Sequence, residues 1–156
     1  MNPFWSLLLA VFLVFSVQNT SFSDAASHKQ MLQKAQQSVD AASVKIDKAH
    51  FYPQYHLAAP ANWMNDPNGF SYFNGQYHLF YQHNPFAPKH EKMHWGHYVS
   101  PDLVHWKEMP IALAPSEAYD KDGVFSGSAI VEDNILYLFY TGHVVNKKDD
   151  KTEIHQ

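Results

Sequence analysis

Gly69-Phe70-Ser71-Tyr72-Phe73-Asn74-Gly75-Gln76-Tyr77-His78-Leu79-Phe80-Tyr81-Gln82 is the stretch that decides the fold. Two aromatic, β-prone runs flank Asn74-Gly75. Asn-Gly is the preferred pair of a two-residue hairpin turn, because both turn positions take positive φ. The stretch therefore predicts a β-hairpin. Downstream, residues 93–100 (MHWGHYVS) read as another strand. Pro101-Asp102 starts a turn, and residues 103–106 read as resumed extended structure. A second hairpin follows, from residues 127–131 through a turn at Glu132-Asp133-Asn134 into residues 135–141.

The two hairpins resemble each other. Tyr77-His78-Leu79-Phe80-Tyr81 and Leu136-Tyr137-Leu138-Phe139-Tyr140 end in the same Leu-Phe-Tyr at an offset of 59 residues, and Gly69 and Ser128 share that offset. A recurring multi-strand sheet is how a β-propeller blade looks in sequence. The long spacing leaves room for the connection at residues 84–92. After Phe51 the chain holds about one and a half blades, whereas a propeller needs at least ~4 to close. An unclosed stack exposes sheet edges. The expected fold is all-β, the N-terminal part of a larger propeller; the alternative is a small free-standing β domain.

The residues before this β unit read differently. Residues 7–17 (LLLAVFLVFSV) form an unbroken apolar run, too short to span a membrane comfortably and suited to a signal-peptide core. Residues 1–26 are therefore expected to be a signal peptide of a secreted protein that keeps no membrane segment after its removal; a buried core helix is the alternative. Across residues 27–50, Met31 or Leu32, Ala35, Val39, Ala42 and Ile46 recur at helical steps. That stripe is thin and Ala-rich. It predicts a surface helix or mobile lead-in, not a core element. Residues 51–156 form the β unit.

Composition narrows the chemistry. A net charge of −4 without a basic run, a phosphate-binding loop or a dinucleotide fingerprint argues against a nucleic-acid partner. There is no cysteine, so disulfides and thiolate metal sites are excluded, and there is no arginine. His94 and His97 sit three apart in a predicted strand, which turns them to opposite faces; no metal is expected.

The other notable stretch is Trp63-Met64-Asn65-Asp66-Pro67-Asn68-Gly69, just ahead of the first hairpin. By composition it is a good turn. It also suits a carboxylate held at the mouth of a sugar pocket. Pro67 biases Asp66 toward an extended backbone, and Gly69 permits tight geometry where the strand starts. A short side chain on a stiff backbone suits a nucleophile. Asn65 and Asn68 offer amides to hydroxyls, and Trp63 offers a flat apolar face.

This seven-residue stretch resembles the signature of glycoside hydrolase family 32, the invertases, inulinases and fructanases. Three further motifs follow in the family's order: Gln82 closing the hairpin, Trp95-Gly96-His97, and Phe125-Ser126-Gly127-Ser128. The resemblance implies a five-bladed propeller with a trailing β-sandwich, and a substrate that is a sucrose-like or oligosaccharide fructoside. It implies that Asp66 is the nucleophile, forming a covalent fructosyl-enzyme that water releases with retention, and that no cofactor is needed. Trp63, Asn65, Gln82, Trp95, Phe125 and Ser126 become substrate-binding residues, with the Gln82 amide bridging Asp66 and a sugar hydroxyl and Trp95 forming a pocket wall. The family's acid/base is a Glu beside a Cys, and a transition-state-stabilising Asp lies in Arg-Asp-Pro. Neither motif can occur in a chain without Cys or Arg. Glu91, Glu108, Glu117, Asp120, Asp122 and Glu132 lack a matching context and read mostly as solvated loop charges. The chain alone is therefore expected to be inactive, as a truncated piece of the enzyme. The alternatives are a fructosyltransferase, a non-catalytic sugar-binding propeller, or a secreted β interaction domain without a sugar ligand.

Overall fold

The computed structural model describes residues 3–46, 51–53, 55–145 and 153–155. One helix and seven strands follow in the order α1 (Pro3–Ile46), β1 (Trp63–Phe73), β2 (Gln76–Asn84), β3 (His94–Ser100), β4 (Lys107–Leu113), β5 (Gly123–Glu132), β6 (Ile135–Val145) and β7 (Glu153–His155). Strands β1-β2-β3-β4 form one antiparallel sheet and β5-β6-β7 a second, each in sequence order. Both hairpins are where the sequence places them. Asn74 and Gly75 take φ of 50° and 78°, and Asp133 and Asn134 take 50° and 60°, the positive values a type I′ turn requires.

Three of the expectations change. The Trp63–Gly69 stretch lies inside β1 and does not precede it. Residues 103–106 are a bent loop: the Asp102 carboxylate accepts the Val104 and His105 N–H groups, and these bonds hold the turn before β4 begins. The segment at residues 27–46 is not merely a lead-in, since Ala35 and Val39 are buried against Ile111 of β4 with Leu32 beside them. Gln36 Oε1 also accepts the Ile111 N–H at 3.0 Å, so α1 satisfies a donor of the outer strand as well as covering it. Small side chains explain both the thin stripe and the contact: alanine lets the helix approach closely. α1 itself runs without a break through residues 18–27, which contain neither Pro nor Gly. Among the described residues, no helix is long and apolar enough to cross a membrane.

The repeat has a packing meaning. Phe80 and Trp95 on one face of the first sheet meet Val124, Leu136, Leu138 and Tyr140 of the second. Phe139, one step after Leu138, points the other way and is 58% exposed. In the repeat Phe139 stands where Phe80 stands, so the second sheet presents the same aromatic face outward that the first has already buried. Such same-sense stacking can be continued by further sheets. It is how blades follow one another in a propeller.

Candidate active site

Strand irregularities build the site. Met64 pairs with His83 and Pro67 with Tyr81, so Asn65 and Asp66 together oppose the single residue Gln82. Phe125 pairs with Thr141 and Gly127 with Tyr140, so Ser126 is an extra residue on β5. A β-bulge re-aims the side chains it carries. These two bulges bring Asp66 and Ser126 together from different sheets: Ser126 Oγ donates to Asp66 Oδ2 at 3.2 Å. Asp66 itself is exposed. Pro67, which has no N–H to give a ladder, is the natural residue beside such a break.

The bulge on β1 is held from below. Gly69 has φ of 58°, and a Cβ there would come within 2.8 Å of the Phe80 ring and 3.3 Å of the Trp95 ring. Only glycine fits both the backbone angle and the space. Successive residues of β5 then tie to different strands of the first sheet. The Val124 carbonyl accepts from Gln82 Nε2 at 3.0 Å, and the Phe125 carbonyl accepts from the Trp95 indole N–H at 3.1 Å. With Ser126 bound to Asp66, residues 124–126 are anchored to β2, β3 and β1 in turn.

Two of the expected binding residues lie inward. Gln82 is 2% exposed, and its amide nitrogen donates to the Val124 carbonyl; no hydrogen bond joins it to Asp66 among the described residues. A buried carbonyl at the sheet–sheet junction needs a donor, and Gln82 supplies it. Trp95 is 0% exposed and belongs to the core; it is not a pocket wall. The other site residues lie nearer the surface. The Trp63 indole N–H donates to Asn65 Oδ1 at 2.8 Å, which leaves the two amide hydrogens of Asn65 as its donors to a ligand. The Phe125 ring stacks on His143 with centroids 4.0 Å apart. Asp120, expected to be a solvated charge, is 1% exposed and accepts from the Ser116 N–H, the Glu117 N–H and the Tyr140 hydroxyl. It fixes the β4–β5 connection.

His90, which no sequence motif singles out, stands between Trp63 and Phe125. Its ring lies 6.0 Å from that of Trp63 and 6.1 Å from that of Phe125. Its place on the 84–92 connection is the only signal the sequence offers. A cavity of about 480 Å³ opens beside it, lined among others by Phe86, His90, Phe125 and His143.

Two buried histidines brace this end of the first sheet. His83 Nδ1 donates to the Trp63 carbonyl at 2.7 Å, and His94 Nδ1 donates to the Lys92 carbonyl at 2.6 Å. They are directly paired across β2 and β3. Burial lowers both pKa values, that of His94 to about 4. A depressed folded-state pKa means that only the unfolded chain takes up the proton between about pH 6.5 and pH 4, so stability falls as pH falls through that window. Its full contribution is present above pH 6.5. The loss from His94 is on the order of 3 kcal/mol. Urea midpoints at pH 7 and pH 4 are expected to differ accordingly, and His94→Phe should flatten the slope.

Comparison with known proteins places this geometry. The family model described as "Glycosyl hydrolases family 32 N-terminal domain" matches residues 56–156. A sucrose-6-phosphate hydrolase of Zymomonas mobilis is 44% identical over 133 residues, covering 85% of this chain and 26% of that protein. On a chain of 156 residues, a match of that length takes in part of α1. A raffinose invertase of Escherichia coli is 51% identical over 116 residues, covering 74% of this chain and 24% of that protein. Among solved structures, a Bombyx mori β-fructofuranosidase, an Asp→Ala mutant in complex with sucrose, matches with a TM-score of 0.69 and 37% identity, covering 79% of this chain and 26% of that one. The chain thus spans about a quarter of the length of these two curated relatives. With four ordered motifs, two stacked antiparallel sheets and the family model agreeing over residues 56–156, the chain belongs to glycoside hydrolase family 32.

Proposed function

We propose that this chain contributes the nucleophile half of an enzyme that hydrolyses β-fructofuranosidic bonds in sucrose or a related fructoside. The observation that carries the reading is Asp66, exposed on a bulge of β1 and met by the Ser126 hydroxyl from the next sheet. Asp66 attacks the anomeric carbon, and the leaving sugar departs with a proton. Water then releases the fructosyl-enzyme with net retention. The retaining scheme needs a second carboxyl ~5–5.5 Å from the first. No carboxylate hydrogen-bonded or paired with Asp66 occurs among the described residues, and the Glu-Cys and Arg-Asp-Pro motifs are absent from the sequence. We therefore assign the acid/base and the stabilising Asp to further blades of a five-bladed propeller in a longer polypeptide, and we assign no turnover to these residues alone.

Export of that polypeptide through residues 1–26 belongs to the same proposal and rests on the apolar run at residues 7–17. Transfer of fructose to a second sugar, and sugar binding without catalysis, are its competitors. The test is product stereochemistry in the polypeptide that carries this chain. NMR during the first minutes of sucrose hydrolysis is expected to show β-fructofuranose ahead of its mutarotated forms. Initial release of the α anomer would refute the nucleophile role.

A further inference from the structure

We propose that α1 is a strap along the rim of the cavity beside His90, and that acid tightens it. Proton uptake by Asp40 and Glu108, whose carboxyl groups share a small cavity beneath the helix, draws α1 onto β4 and completes that rim. This rests on the fructoside reading above for what the cavity holds and adds a control on how firmly it is held.

α1 reaches both the cavity and the sheet. Met31 and Lys34 border the cavity, and Lys34 Nζ lies 6.0 Å from the ring centre of Phe86, which borders it too. The cavity leads to the site: His90 borders it and packs against Trp63 of β1, and Phe125 borders it one residue before Ser126. Within the next turn of the helix, Ala35 and Val39 pack on Ile111, and Gln36 Oε1 accepts the Ile111 N–H. Rim and anchor are therefore neighbouring turns of one rod, and a helix that lifts from β4 carries Met31 and Lys34 with it. The contact is shallow, two small buried side chains and one hydrogen bond to β4, which suits local opening while the sheets stay folded. The cavity keeps its volume of about 480 Å³ with the helix docked, so docking walls the cavity without filling it.

Charge sets how firmly the anchor holds. Asp40 Oδ1 accepts from Gln36 Nε2 at 2.8 Å, on the same amide whose oxygen takes the Ile111 N–H. Beside this relay lies a cavity of about 200 Å³, bordered by Val39, Asp40 and Ser43 of α1 and by Glu108 of β4. Docking takes water from the Glu108 carboxylate and sets the Asp40 carboxylate against it. Both effects raise the Glu108 pKa, burial first and Asp40 second. Among the described residues no cation borders this cavity: Lys107 pairs with Val99 and turns to the opposite face of β4, and Lys45 lies outside the border. Tyr52 borders it, and its hydroxyl donates to the Ala58 and Ala59 carbonyls. Tyr81 and Tyr98 feel the Glu108 charge from β2 and β3, and burial keeps both protonated. At the other end of the helix His28 Nδ1 meets the Ser116 hydroxyl at 2.9 Å, and either charge state keeps that bond because a hydroxyl both donates and accepts.

A pKa raised by docking means that docking and proton uptake favour each other. The contribution is full below about pH 4.5, the ordinary value for Glu, and is lost as pH rises through the raised value. Its sign is opposite to that of the buried His83 and His94, which weaken the whole fold in acid. Docking of α1 and stability of the sheets therefore respond to pH in opposite directions and can be told apart.

The test is hydrogen exchange at the Ile111 N–H in the polypeptide that carries this chain, read at pH 5 and pH 7.5 and corrected for the intrinsic rate at each pH. The Val124 N–H, bonded to the Met93 carbonyl, is the reference for opening of the sheets. Relative to it, Ile111 is expected to be about threefold or more better protected at pH 5 than at pH 7.5. E108Q should carry the pH 5 protection up to pH 7.5. D40N should do the same, since asparagine keeps the oxygen to which Gln36 donates. E132Q, at the β5–β6 turn, should keep the parent's dependence. The effect at the cavity is read from KM for sucrose: E108Q should match the parent at pH 5 and be lower by about twofold at pH 7.5. Protection that ignores pH, or that keeps its pH dependence in both E108Q and D40N, overturns the acid strap. Protection that behaves as expected while KM of E108Q equals the parent's at pH 7.5 overturns its role at the cavity. A polypeptide that does not turn over sucrose overturns the fructoside reading, and the exchange data still decide the docking.

Discussion

Asp66→Asn in the polypeptide that carries this chain is expected to lower kcat for sucrose by on the order of 10⁴-fold or more, with the fold intact. The amide is isosteric with the carboxylate and cannot attack carbon usefully. Ser126 Oγ can still donate to the remaining oxygen at position 66, so the contact between the two sheets survives. The side chain is exposed and makes no other polar contact among those described, so the stability change should stay within about 0.5 kcal/mol. Loss of kcat with little change in KM would separate a group that acts in the transition state from one that only binds. Thermal midpoint and initial rate, measured on the same preparation, decide the matter. A stable variant that turns over within tenfold of the parent removes Asp66 from the nucleophile role.

The difference between what could be read and what could not follows the range of the interactions. The hairpin at Asn74-Gly75 was legible because its cause is local: two adjacent residues must take positive φ, and they are an Asn and a Gly. The Leu-Phe-Tyr repeat was legible for the same reason, and it carried the sheet stacking with it. Bulges were not legible. Asn65 and Asp66 share one partner only because β2 keeps its own regular pairing with β3 while β1 slips, and no two neighbouring residues reveal that. The ties of Gln82 and Trp95 to β5 were hidden for a related cause. Both carry polar hydrogens that suit a sugar, and in the structure both donate to carbonyls of β5, a strand distant in sequence. The docking of α1 was hidden because an Ala-rich stripe is weak by hydrophobicity, yet strong where a helix must approach a sheet closely.

Gly127→Ala should be the most destabilising single methyl in the molecule, costing about 3 kcal/mol or more. The extra residue Ser126 pushes Gly127 against β6, where an added Cβ would fall on the Phe139 carbonyl group and within 2.8 Å of the Tyr140 Cα. These are backbone atoms of a paired strand. They cannot rotate away as a side chain does, so the bulge itself must be given up or the hairpin opened. Either way Ser126 leaves Asp66, and the Phe125 carbonyl shifts from the Trp95 indole, which a change in tryptophan emission would report. Gly75→Ala separates this cause from ordinary backbone strain. Gly75 has φ of 78°, and a Cβ added there would meet nothing within 4 Å, so alanine incurs only the left-handed penalty of about 1–2 kcal/mol and leaves the site alone. The expected pattern is therefore a larger fall in urea midpoint and a loss of activity for Gly127→Ala, against a smaller fall with activity retained for Gly75→Ala. If Gly127→Ala were as stable and as active as the parent, the bulge at Ser126 could not be what aims its hydroxyl at Asp66.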